Sequence, residues 1–89
     1  MADERIPRDW LQRQATLEEL ERTNLVDGRP FGYENETWEV MKGNLREGDE
    51  FWLFCSSPET WDAFPRQGME GVALVRRGEV IDILLTAIS

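Results

Sequence analysis

Gly71-Val72-Ala73-Leu74-Val75-Arg76-Arg77-Gly78-Glu79-Val80-Ile81-Asp82-Ile83-Leu84-Leu85 consists of two apolar runs separated by Arg77-Gly78. Runs rich in Val, Ile and Leu on either side of a glycine-containing dipeptide predict two antiparallel strands around a two-residue turn. Upstream, Gly48-Asp49-Glu50-Phe51-Trp52-Leu53-Phe54-Cys55 predicts another strand over about 50–55. Phe51, Leu53 and Cys55 alternate with Trp52 and Phe54, so both faces are apolar and both are expected to be covered. Between these segments, Ser56 or Ser57 caps a short helical turn that begins at Pro58, places Glu59 near its positive end, turns Trp61 and Phe64 inward and stops at Pro65.

With Arg77-Gly78 as the turn, a regular ladder pairs Arg76 with Glu79, Val75 with Val80, Leu74 with Ile81, Ala73 with Asp82, Val72 with Ile83 and Gly71 with Leu84. Alternation then sends Val72, Leu74, Ile81, Ile83 and Leu85 to a core face. Gly71, Ala73, Val75, Val80, Asp82, Leu84 and Thr86 go to a second, shallower face with one charge. Strand one adds either Trp52 and Phe54 or Phe51, Leu53 and Cys55 to that face, and Trp52, Phe54, Trp61, Val80, Asp82 and Leu84 are the candidate binding surface. It is read first as exposed, second as a homodimer or partner interface, third as a ligand cleft around Asp82. The long link from Cys55 to Gly71 suits a meander or a crossover. The length and apolarity of the last strand favour placing it centrally, in the order one, three, two.

Towards the N-terminus, residues 1–5 are expected to be loose. Pro7, with Trp10, Leu17 and Leu20 at near-helical spacing, predicts a helix over about 8–22. Thr16-Leu17-Glu18-Glu19 is a capping box, so the segment is either one helix or two broken near Ala15. Asp27-Gly28 and Arg29-Pro30 mark a connecting loop, with Phe31 and Tyr33 folding back on the core. Trp38, Met41 and Leu45 predict a second helix over about 35–46, stopped by Gly48. Together these elements predict a single α+β domain. Two N-terminal helices pack on a three-stranded, mostly antiparallel sheet, with a short helix between strands one and two.

Composition narrows function more by exclusion than by assignment. The 89 residues carry 18 acidic and 10 basic side chains, a net charge of −8. That balance disfavours phosphate backbones and anionic membrane surfaces, both of which require Lys and Arg. Residues 1–50 hold 13 acids against 7 bases, so the helical half faces solvent or a basic protein partner. Without His and with Cys55 as the single cysteine, ordinary zinc or iron sites, Ser-His-Asp and Cys-His nucleophiles and an internal disulfide are all excluded. No cofactor or metal is expected. Cys55 reads as a buried, inert thiol. Asp49-Glu50, Glu59 and Asp62 sit where turns and helix starts favour carboxylates, and Arg76-Arg77 reads as a solvated tip. No apolar run approaches the roughly 20 residues that span a bilayer, and a cytoplasmic location follows as the expectation.

Gly48-Asp49-Glu50-Phe51-Trp52-Leu53-Phe54, Ser57-Pro58-Glu59-Thr60-Trp61 and Gly71 to Val80 resemble small, uncharacterised bacterial single-domain proteins over about residues 30–89. The resemblance implies a compact bacterial protein and transfers no functional residue. The leading functional expectation is a non-enzymatic protein-interaction module, self-associating through the Asp82 face or presenting its acidic half to a basic partner. The alternative is a small-molecule binding or minor enzymatic domain with an aromatic pocket of Trp52, Phe54 and Trp61 around Asp82. A mimic of nucleic-acid charge ranks last, because Arg13, Arg22 and Arg29 interrupt the glutamates.

Overall fold

The computed structural model describes residues 6–62 and 68–88, so the expected loose segment at 1–5 and the expected roles of Phe64 and Pro65 lie outside the described residues. A 3-10 turn at Arg8–Trp10 leads into β1 (Leu11–Ala15), α1 (Leu17–Thr23) and a small ribbon of β2 (Leu25–Val26) and β3 (Arg29–Pro30). A second 3-10 turn, Gly32–Glu34, opens α2 (Asn35–Gly43). Then come β4 (Glu50–Cys55), α3 (Pro58–Asp62), β5 (Met69–Arg76) and β6 (Glu79–Ile88). The architecture is α+β, with a four-stranded antiparallel sheet in the order β1-β4-β5-β6 and the separate two-stranded ribbon.

Two expectations are corrected. A strand replaces the front half of the first predicted helix, and the sheet therefore has four strands rather than three. Leu11–Ala15 pairs with β4, and its Gln12, Arg13 and Gln14 are exposed. A polar edge strand carries no period-two apolar signal, so the helical spacing of Trp10, Leu17 and Leu20 dominated the sequence pattern. The break near Ala15 is real, and Thr16 Oγ accepts from the Glu19 amide at 3.1 Å. The reciprocal half of the capping box is missing, because the Glu19 carboxylate accepts from Arg13 instead. The second correction is strand order. The link through α3 doubles back, so β4, β5 and β6 form a meander with the long last strand at the edge.

The core lies on both faces of this sheet. On the helix side, Ala15, Leu20, Phe31, Trp38, Met41, Phe51, Val72, Leu74 and Leu84 form one cluster. Trp38 sits between Phe31 and Phe51, with ring centroids 4.7 and 5.2 Å away. Its indole N–H donates to Glu21 at 2.8 Å, and Lys42 donates to the same carboxylate at 2.7 Å, which ties α1 to α2. The Lys42 bond first, then that of Trp38, holds the Glu21 carboxyl below its ordinary range. On the opposite side, Ile6, Phe54, Ala73, Val75, Val80 and Ile83 pack with Trp10, Trp52 and Leu85. α2 ends at Gly43, one turn before the expected stop, and Leu45 is left exposed.

Candidate functional site

Arg77 and Gly78 adopt φ of 54° and 79°, so the predicted two-residue turn forms with both central residues left-handed. Arg76 pairs with Glu79 and Val75 with Val80, as the regular ladder requires. Beyond that point the register shifts. Leu74 faces Asp82, Ala73 faces Ile83 and Val72 faces Leu84, which leaves Ile81 as an extra residue in β6. A second shift between Gly71↔Leu85 and Glu70↔Ala87 leaves Thr86 extra. Each is a β-bulge, and one inserted residue exchanges the faces of everything beyond it. Asp82 and Leu84 consequently move to the helix side, and Ile83 and Leu85 move to the other.

This redistributes the six candidate surface residues. Phe54, Val80 and Leu84 are 1%, 3% and 1% exposed, so their side chains are core. Trp52 and Phe54 belong with Val80 on one face, and Asp82 lies across the sheet from them. Asp82 borders a polar cavity of about 400 Å³ with Asn44, Arg46, Leu74, Arg76 and Ile81, and its Oδ1 accepts from the Ile83 amide at 2.9 Å. Trp52 borders a separate hollow with Arg8, Asp9, Glu50 and Val75 and donates to Glu50 at 3.0 Å. Trp61 stands apart on α3, its indole nitrogen buried without a hydrogen-bond partner. The aromatic wall and the carboxylate are thus not brought together.

Beside the Asp82 cavity, Asp49 and Arg76 form a clasp between the β4 approach and β5. The Arg76 guanidinium donates to both Asp49 oxygens at 2.9 and 2.7 Å, and to the Asn44 carbonyl at 3.1 Å. The Arg46 amide adds a bond at 2.9 Å. Arg76, first among these donors, pulls that carboxyl down from 3.8 to about 2, against the burial of the Asp49 side chain, which pushes it up. Arg76 is therefore a structural tie, and Arg77 alone is a solvated tip residue.

A cluster of exposed apolar side chains lies elsewhere. Tyr33, Ile88, Val26 and Leu25 are 95%, 69%, 54% and 53% exposed. With Phe31 and Leu85 they line a groove of about 700 Å³ between the β2–β3 ribbon and the end of β6. Leu85, Thr86, Ala87 and Ile88 are consecutive and all border it, so it runs along the outer edge of β6 rather than over one face. Asp27 and Gly28, at φ of 53° and 79°, form a left-handed turn like that of the hairpin and hold Leu25 and Val26 out in the ribbon. Phe31 is also left-handed, at φ 62°, and its amide closes on the Asn24 carbonyl at 2.7 Å.

No family model, curated protein or solved structure matches this chain. Its chemistry is therefore read from its own side chains. Among the described residues no group of three His, Cys, Asp or Glu is placed to hold a metal ion, and no helix is long and apolar enough to cross a membrane. The groove is hidden in the sequence because Leu25-Val26-Asp27-Gly28 reads as part of a connecting loop. An apolar pair running into Asp-Gly is a ribbon signal, and it was the available clue.

Proposed function

We propose that the protein is a non-enzymatic protein-interaction module that works through the outer edge of β6 and the groove beside it. The observation carrying this reading is the coincidence of two features. β6 is a ten-residue edge strand with no strand beyond it among the described residues, and four large apolar side chains stand exposed next to it. An open edge supplies unpaired backbone donors and acceptors, and the adjoining apolar wall supplies burial; strand addition uses both. The opposite edge, β1, offers neither, being short, bulged and polar.

A photo-crosslinking residue at Tyr33, compared with one at Gln12 on β1, tests the reading in living cells. A discrete protein adduct is expected at Tyr33 and not at Gln12, and it should vanish on adding Val26→Glu and Ile88→Glu. Equal labelling at the two positions, or none at Tyr33, would overturn it. A basic protein partner is the second reading, favoured by the excess of six acids in residues 1–50. It predicts an adduct that weakens steeply with salt.

A further inference from the structure

We draw no further inference here: the strongest candidate, the outer edge of β6 with the apolar groove of Leu25, Val26, Tyr33 and Ile88 beside it, belongs to the surface already described, and nothing in the structure shows what covers it.

Discussion

Asp49→Asn removes one negative charge from a carboxylate that holds three donors, while keeping its shape. In the folded chain that carboxyl titrates at about 2 rather than 3.8. At about 1.4 kcal/mol per tenfold in affinity for the proton, the displacement corresponds to about 2 kcal/mol of stability at neutral pH. The Asp49 side chain is sealed, but the Arg76 side chain is 26% exposed, and screening there reduces the expected loss to about 1–2 kcal/mol. For a domain of this size each kcal/mol moves the thermal midpoint by about 4–8 °C. The depressed carboxyl stabilises the fold above pH 4 and loses that contribution as pH falls towards 2. Urea unfolding of wild type and Asp49→Asn across pH 7 to 2 should show a gap that is full at neutral pH and closes between about 4 and 2. A gap that stays constant to pH 2 would refute the assignment of this stability to the ionised Asp49–Arg76 clasp.

At Gly71 a Cβ would lie 2.0 Å from the Leu84 carbonyl oxygen of the neighbouring strand. Gly71→Ala is expected to cost about 3 kcal/mol or more, or to abolish cooperative unfolding by circular dichroism, because backbone rather than a flexible side chain must yield. Gly43→Ala meets nothing within 4 Å in α2 and should stabilise the fold by about 0.5–1 kcal/mol in the same assay. Trp38→Phe leaves Glu21 without its indole donor and thins the Phe31–Trp38–Phe51 stack, with an expected cost of about 1–3 kcal/mol by urea unfolding. Deleting Ile81 removes the first bulge but keeps Leu74 opposite Asp82. The chain should stay folded, with the Leu74–Asp82 cross-strand nuclear Overhauser contact preserved.

What the sequence showed and what it hid divide along a physical line. The hairpin turn, the β4 strand, the start of α2 at Asn35 and the cap at Thr16 are local events, set by turn chemistry or by a periodic run, and they were readable. β1 was not readable, since its place at an edge frees it from alternation and its three middle side chains are polar. The face on which Asp82 lies escapes the sequence for a different reason. Val80-Ile81-Asp82-Ile83-Leu84-Leu85 is apolar at nearly every position, so its pattern does not distinguish a regular strand from one with an inserted residue, and the pairing partner fixes the choice. Gly71 carried the missing hint, because a glycine inside an apolar strand marks a close backbone approach.

The same insertions that concealed the register give the edge its character. Without Ile81 and Thr86 as extra residues, β6 would be a long, straight, apolar border open to any extended chain, which is an aggregation hazard for a protein this small. Bulges at both ends restrict what can add to it while leaving Asp82 to Leu85 regular between them. The apolar groove beside it, open where Leu25, Val26, Tyr33 and Ile88 stand in solvent, borders the last four residues of the strand. Burial of that wall by a strand added at the edge would add affinity to the backbone hydrogen bonds such a strand makes.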